Sequence, residues 1–291
     1  MFGQLGFGFM KASFGASEAN RASTIEALHE AIAKGVKLID TADIYAPSWN
    51  TFGHNEELLA EAVRTFNGDA SDLIIATKGG ITRGPNETWG RNASIDYLLR
   101  AVEASAGRLN LSSIPLWQHH RRDPNMPFEQ QLENLANLKQ RGLIQKIGVS
   151  NYSAKQLTRA IEVIGDIATV QNQLNPAYRQ ELDVLQVCEA NNITYLPWSP
   201  TKGARENDAQ SIIKTIAAEK NASTYAVAIA WLRSLSSQLV PIPGVTRIES
   251  VNDALSALNL ELTAEDLTRI NEGLEPTQPL DAELLSDQPK N

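Results

Sequence analysis

Four side chains that can donate, accept or hold a proton lie near short apolar runs in the first 120 residues. Asp40 and Tyr45 belong to the segment LIDTADIY. Lys78 closes the run LIIATK, and His120 follows the run IPLWQH. A nearby cation favours the phenolate and lowers the pKa of a phenol, so Tyr45 beside Lys78 is a candidate proton donor to a carbonyl group. A Lys at the end of an apolar run needs a partner, and Asp40 is the natural one.

The elements that must position these residues alternate along the chain between apolar runs and amphipathic segments. This alternation predicts an α/β fold, a single-domain (β/α)8 TIM barrel over residues 1–274, with chemistry at the carboxyl ends of the strands. Residues 275–291 form a proline- and acid-containing tail that is predicted to be loosely ordered. Gly35, Gly107 and Gly142 are predicted to end helices. Strands are predicted at 5–10, 36–41, 73–77, 114–119, 146–150, 169–174, 193–198 and 239–243. Helices are predicted at 21–34, 54–66, 94–108, 128–141, 153–164, 180–191, 207–220, 223–235 and 248–258.

Composition limits the possible partners and location. The chain has 291 residues and a net charge of −8. Nucleic acids and anionic membranes select clustered Lys and Arg, so neither is expected as a partner. The single cysteine, Cys188, cannot form an internal disulfide, and no leader or apolar run of 18 residues is present, which predicts a cytoplasmic location. No metal-binding motif is found, and the oligomeric state is left open.

The chain resembles the aldo-keto reductase superfamily, whose catalytic tetrad is Asp, Tyr, Lys and His in this order and context. The resemblance implies that Asp40, Tyr45, Lys78 and His120 are catalytic. Tyr45 would be the general acid in reduction, and the Asp40–Lys78 pair would lower its pKa. The string WQHHRRDP matches the family motif with His120 as the tetrad member, which would orient the substrate carbonyl. The neighbouring His119 is expected to be packed and hydrogen-bonded.

The second half of the chain resembles the cofactor cradle of the same family. The resemblance implies NADP(H) as cofactor, with NAD less expected. The segments KIGVSNYS and VQNQLN would hold the nicotinamide carboxamide. The segment LPWSP would stack on the nicotinamide ring and reach the pyrophosphate. The segment PIPGVTRIESV would begin a helix whose N-terminus binds an anion. The implied cofactor-binding residues are Ser150, Asn151, Gln171, Trp198, Ser199, Gly244 and Arg247, with Arg247 on the 2′-phosphate.

The substrate side is predicted from loops that depart from the family pattern. The loop after Tyr45 is long, the loop after Trp198 is short, and Trp49, Phe52 and Trp89 become the expected walls of the substrate site. The substrate class is a small-molecule aldehyde or ketone, and tryptophans at the mouth would suit a ring-bearing one. Two other interpretations remain open: a catalytically weak, cofactor-binding regulatory subunit, and a barrel lyase that uses Lys78 to form a Schiff base.

Overall fold

The computed structural model describes residues 2–14, 18–202, 204 and 212–274. The expected tail at 275–291 and part of the helix expected at 207–220 lie outside the described residues. Within the described ranges, no helix combines the length and the apolar character needed to cross a membrane. The strands are β1 (Phe7–Gly8), β2 (Leu38–Asp40), β3 (Ile74–Gly79), β4 (Ile81–Gly84), β5 (Thr88–Arg91), β6 (Ile114–His119), β7 (Ile144–Ser150), β8 (Thr169–Gln171) and β9 (Thr194–Tyr195).

Seven of the described strands form one parallel sheet in the order β1-β2-β3-β6-β7-β8-β9. The segment 239–244 closes this sheet into a barrel, because Leu239 bridges to Tyr195 at one edge and Gly244 bridges to Gly8 at the other. The predicted eighth strand therefore occupies its expected place, although it makes isolated bridges and not a regular ladder. The (β/α)8 barrel expected from the sequence is confirmed.

Two prolines explain why the closing segment is irregular. Pro241 and Pro243 have no N–H group to donate. Their carbonyl groups accept from Gly6 and Gly8 on the β1 side, at 3.0 and 2.9 Å between N and O. Toward β9 the segment donates through Val240, whose N–H reaches the carbonyl of Tyr195 at 2.9 Å. Each side of the closing segment thus has only part of the hydrogen bonds of a normal strand pair.

Helices cover the outside of the barrel, and most begin within a few residues of their predicted positions. Two elements were not predicted: the antiparallel β4–β5 hairpin, which lies in the loop after Lys78, and the last helix, α10. The helices are α1 (Glu18–Ala33), α2 (His54–Thr65), α3 (Ile95–Leu109), α4 (Phe128–Gln140), α5 (Ala154–Ile164), α6 (Leu182–Asn191), α7 (Ile212–Glu219), α8 (Thr224–Leu235), α9 (Ile248–Ser256) and α10 (Ala264–Gly273).

Successive side chains along each strand point alternately into the barrel and out toward the helices, so the core has an inner and an outer part. Outward-facing residues such as Ile39, Trp117 and Val170 are buried against the helices. Inward-facing Leu38 and Leu116 belong to a separate apolar cluster that fills the barrel. The whole inner cluster comprises Phe2, Leu38, Ala76, Leu116, Leu196, Val240 and Ile242.

Candidate active site

A polar layer lies above the inner apolar cluster, two residues further along each strand. Asp40 follows Leu38 on β2, Lys78 follows Ala76 on β3, and Gln118 follows Leu116 on β6. Because strand residues alternate between the two faces, this spacing turns the polar side chains into the barrel at its carboxyl end. Lys78 and Gln118 are also direct partners in the β3–β6 register. The sequence positions of the tetrad residues therefore converge in space, as the resemblance implied.

Lys78 is fully buried and binds three groups through its ammonium. Its Nζ donates to Oδ2 of Asp40 at 2.5 Å, to the carbonyl of Thr41 at 2.8 Å and to the hydroxyl of Tyr45 at 3.1 Å. Burial disfavours the ammonium, but the Asp40 carboxylate and Tyr45 outweigh it and raise the pKa of Lys78 above its usual value. Lys78 is therefore a permanent cation next to the phenol.

Asp40 is held by more than the lysine. Its second oxygen, Oδ1, accepts from the amide Nε2 of Gln118 at 3.1 Å and from Nε2 of Gln171 at 2.8 Å. The role of Gln118 was missed by the sequence analysis. Gln171 was predicted to hold a cofactor amide, and here its own amide nitrogen is directed to Asp40. Both glutamines fix the carboxylate that keeps Lys78 charged.

The pKa of Tyr45 corrects one expectation. The sequence predicted a lowered phenol pKa, but burial raises the pKa of Tyr45 above its usual value, and Lys78 only partly offsets this effect. The hydroxyl is consequently protonated at neutral pH. Such a phenol is a proton donor, and the adjacent ammonium stabilises the phenolate that remains after the transfer.

The two adjacent histidines have different surroundings. The His120 ring stands edge-on to Tyr45, with centroids 5.7 Å apart and an interplanar angle of 84°. Burial, together with the nearby Lys78 charge, lowers the pKa of His120 well below 6.5, so its imidazole is neutral. His119 points outward, is fully buried, and its Nδ1 lies 2.9 Å from the Tyr152 hydroxyl. Burial lowers the pKa of His119 to about 3, and its structural character agrees with the sequence expectation.

The carboxyl ends of β7 and β8 bring together the residues predicted for the nicotinamide end of a cofactor. The Asn151 amide nitrogen lies 2.9 Å from the Ser150 hydroxyl, and it donates to the carbonyl of His120 at 3.3 Å. The indole N–H of Trp198 donates to Oδ1 of Asn151 at 3.1 Å. Asn151 has a left-handed backbone with φ of 60°. These contacts connect the predicted cofactor residues directly to the backbone of His120.

The residues predicted for the phosphate end lie at the barrel mouth. Gly244 and Arg247 are exposed, Arg247 directly precedes α9, and no side chain in the described part caps this helix start. A Cβ at Gly244 would come within 3.4 Å of Cδ of Lys11, so the lysine stem lies across the glycine. Lys11, missed by the sequence analysis, adds a second cation to this region. Ser199 adopts a left-handed φ of 51° just after Trp198.

Of the three aromatic residues predicted as substrate walls, Trp49 and Phe52 lie in the segment after Tyr45, and Trp89 lies on β5. Trp49 and Trp89 are 40% and 43% exposed, which leaves much of both rings available to a ligand. Phe52 is half-buried and packs with the apolar residues next to Tyr45. The segment from β2 to α2 therefore carries both Tyr45 and part of the expected wall.

Comparison with known proteins then settles the family. The model of the Aldo/keto reductase family matches residues 4–275. The chain belongs to the aldo/keto reductase family. This aldo/keto reductase is accordingly an oxidoreductase, and the recognition made from the tetrad context is confirmed.

Curated relatives and solved structures agree with this assignment. An uncharacterized oxidoreductase of Schizosaccharomyces pombe is 33% identical over 81% of this chain and 74% of its own length. The pyridoxine 4-dehydrogenase of Escherichia coli is 30% identical over 92% of this chain and 93% of its own length. An aldo-keto reductase of Klebsiella pneumoniae, solved with NADPH, is similar in fold, with a TM-score of 0.77 at 24% identity over 95% of this aldo/keto reductase and 92% of the Klebsiella chain.

Proposed function

We propose that this chain is an NADP(H)-dependent carbonyl reductase that converts an aldehyde or ketone into an alcohol, with Tyr45 as the proton donor. The observation that carries the proposal is the buried contact of Lys78 with both Asp40 and the Tyr45 hydroxyl, with His120 beside the same phenol. A protonated phenol, a permanent cation and a neutral imidazole at one barrel mouth match the needs of carbonyl reduction.

Each residue has a definite part in this chemistry. The Tyr45 hydroxyl gives its proton to the substrate oxygen as negative charge develops there. Lys78 stabilises the phenolate that is left, and Asp40 keeps the lysine ionised. The neutral ring of His120 can donate one N–H to the carbonyl oxygen, which orients the substrate and helps to carry its charge. NADPH, when bound, would supply the hydride.

The residues present fit a dinucleotide. Asn151 provides an amide group for hydrogen bonds to a carboxamide, and Gln171, whose amide nitrogen donates to Asp40, provides its amide oxygen as an acceptor. The exposed Gly244 lets a ligand approach the backbone, while Lys11 and Arg247 offer cations next to the start of α9. The NADPH found with the Klebsiella reductase supports the same cofactor for this chain.

The state of Lys78 weighs against the Schiff-base alternative. A lysine must be neutral to attack a carbonyl, and neutral lysines arise where burial or another cation lowers their pKa. Here Asp40 and Tyr45 raise the pKa of Lys78 and occupy its donors. The alternative of a cofactor-binding regulatory subunit differs from the reductase in turnover alone, so it is decided by the experiment below.

The substrate that we propose is a ring-bearing aldehyde. Two broad, partly exposed indoles can stack on a planar ring: Trp49 lies in the segment after Tyr45, and Trp89 packs on Arg83, which contacts that segment. The similarity to pyridoxine 4-dehydrogenase points to the same kind of substrate. A panel that compares pyridoxal and benzaldehyde with short aliphatic aldehydes tests this assignment through kcat/KM.

The decisive test is Tyr45→Phe, which keeps the ring and removes the proton donor. We expect NADPH binding to stay within twofold of the wild type, while kcat for aldehyde reduction falls by about 100-fold or more. Nicotinamide fluorescence gives the binding constant, and nicotinamide absorbance gives the turnover. Wild-type turnover in the variant would overturn the assignment of Tyr45, and no turnover of any aldehyde by the wild type would favour the regulatory subunit.

A further inference from the structure

Arg83 on β4 reaches across to the loop that carries Tyr45. Its Nη1 donates to the carbonyl of Ala46 at 2.8 Å and to that of Ile44 at 3.5 Å, and its Nη2 donates to the carbonyl of Pro47 at 3.4 Å. These carbonyl groups flank the catalytic tyrosine on both sides. The guanidinium therefore fixes the backbone immediately before and after Tyr45.

Two aromatic rings enclose the same guanidinium. Its central carbon lies 4.9 Å from the Trp89 ring centroid and 5.4 Å from that of Phe14. Phe14 in turn stands edge-on to Tyr45, with centroids 5.9 Å apart. Arg83 thus touches a ring of the expected substrate wall on one side and a ring that packs on the proton donor on the other.

The hairpin tip completes the connection. Nε of Arg83 donates to Oε2 of Glu87 at 2.5 Å, while Oε1 of Glu87 accepts from the backbone N–H of Trp49 at 2.9 Å. The Arg83 side chain is only 4% exposed. A buried guanidinium that loses its acceptors is costly, so the hairpin and the Tyr45 loop cannot separate without a large penalty. A lysine at this position cannot make all of these contacts, because its ammonium lacks the planar guanidinium with several N–H donors and a flat face that stacks on aromatic rings.

We propose that Arg83 is a positioning residue that holds the Tyr45 hydroxyl in its reactive place by tying the Tyr45 loop to the β4–β5 hairpin. This inference rests on the proposed function, because it assumes that Tyr45 delivers the proton. Misplacement of a reacting group by about 1 Å can reduce a rate by about 100-fold. The effect of Arg83 must accordingly act through Tyr45 and leave cofactor binding unchanged.

A double-mutant cycle tests the proposal. In the wild-type background, Arg83→Met is expected to lower kcat by about 10- to 100-fold. In the Tyr45→Phe background, where the positioned hydroxyl is gone, Arg83→Met is expected to change residual single-turnover rates by less than threefold. NADPH dissociation constants are expected to stay within twofold in all four proteins. Arg83→Lys, which keeps the charge, is expected to fold and to lie between Arg83→Met and the wild type in kcat.

The matched control is Arg159→Met, the same change at an exposed arginine that pairs with Glu129 and Glu162 on the outer helices. It is expected to leave kcat unchanged. The role of Arg83 would be overturned if Arg83→Met lowered the rate equally in the wild-type and Tyr45→Phe backgrounds, or if both Arg83 variants kept the wild-type kcat. Either outcome would leave Tyr45 as the proton donor. Should Arg83→Met not fold, the same cycle with Arg83→Lys decides between these outcomes. Full activity of Tyr45→Phe would instead refute the proposed function, and this inference with it.

Discussion

At the scale of single residues, the site is built around a carboxylate that never touches the substrate in our mechanism. Asp40 accepts from one ammonium and two amide groups. This set leaves little freedom for the carboxylate to rotate. In the proposed mechanism it keeps the adjacent cation charged and in place, and Gln118 and Gln171 contribute by holding the carboxylate.

The residues that could be predicted from sequence are those whose neighbours along the chain identify them. Tyr45, Lys78 and His120 each lie in a recognisable string, and the structure places all three together. Gln118 was missed because its importance depends on its register opposite Lys78 across two strands. The direction of the Tyr45 pKa was wrong because the degree of burial depends on the assembled barrel, and burial outweighs the nearby charge. The roles of the cofactor- and substrate-binding residues stay predictions.

The paired histidines allow a prediction that separates catalysis from stability. His120→Ala should lower kcat by about 100-fold, because the donor to the carbonyl oxygen is lost. His119→Ala should keep kcat within threefold but lower the free energy of unfolding by about 2–4 kcal/mol, because it empties a buried position and strands the Tyr152 hydroxyl. Steady-state kinetics and urea unfolding of both variants check this. A larger kinetic loss in His119→Ala would show that the β6 register is wrong by one residue.

At the scale of elements, apolar runs predicted the strands well where both faces are buried. The β4–β5 hairpin was missed because its strand residues are largely exposed and polar, so no apolar period marks them. Helix α10 was missed despite a usable signal, the capping box of Thr263 and Asp266. Gly35 and Gly142 do end helices with left-handed φ values of 83° and 75°.

One predicted helix end was wrong. Gly107 lies inside α3, which continues to Leu109 and ends at Asn110 with a φ of 54°. Asparagine tolerates the left-handed region better than most residues, so it can replace glycine at this position. The error arises because glycine marks a possible helix end, whereas Leu109, which packs in the core, extends the helix two residues beyond Gly107.

The start of α9 carries the prediction on cofactor choice. Its first N–H groups and dipole favour an anion, Glu249 in the same turn opposes one, and Arg247 supplies the compensating charge. Arg247→Ala should weaken NADPH binding by about 1.5–3 kcal/mol and leave NADH binding nearly unchanged, since NADH has no 2′-phosphate. Fluorescence titration with both cofactors measures the difference. Arg64→Ala, at an exposed arginine in the last turn of α2, is the control. Equal weakening of both cofactors would assign Arg247 to the shared pyrophosphate or to the fold.

At the scale of the whole molecule, the fold buries an acid three residues beyond the end of β2. Asp43 is fully buried, and neither of its carboxyl oxygens has a hydrogen-bond partner among the described residues. Burial raises the pKa of Asp43 well above its usual value, and the nearby Glu56 adds to this effect, while Arg108 and Lys78 partly oppose it. The folded protein therefore holds a proton there that the unfolded chain releases near pH 4.

The sign of the pH effect follows from this difference. A carboxyl group whose pKa is higher in the folded than in the unfolded state does not lower the free energy of unfolding at low pH, where it is protonated in both states. As the pH rises from about 4 toward the folded pKa, it lowers the free energy of unfolding increasingly. Asp43→Asn should consequently stabilise the protein more at pH 8 than at pH 5, as measured by urea unfolding. Asp72→Asn, at an exposed carboxylate paired with Lys37, is the control. A stability difference that is constant across this range would contradict the prediction.

That residues 1–274 act as one domain stays a proposal.

The proline-bearing closure of the barrel also bears on how the chain folds. The pairing of Gly8 with Gly244 joins segments from nearly opposite ends of the described chain, which makes it one of the most non-local contacts of the fold. During synthesis, β1 must wait for its second neighbour until the segment 239–244 has been made. A strand edge that stays unpaired for this time can form hydrogen bonds with other chains. A strand as short as Phe7–Gly8 has few backbone N–H and C=O groups available for such pairing. The brevity of β1 and the missing N–H groups of Pro241 and Pro243 thus give a slow-closing barrel some protection against aggregation while it is still incomplete.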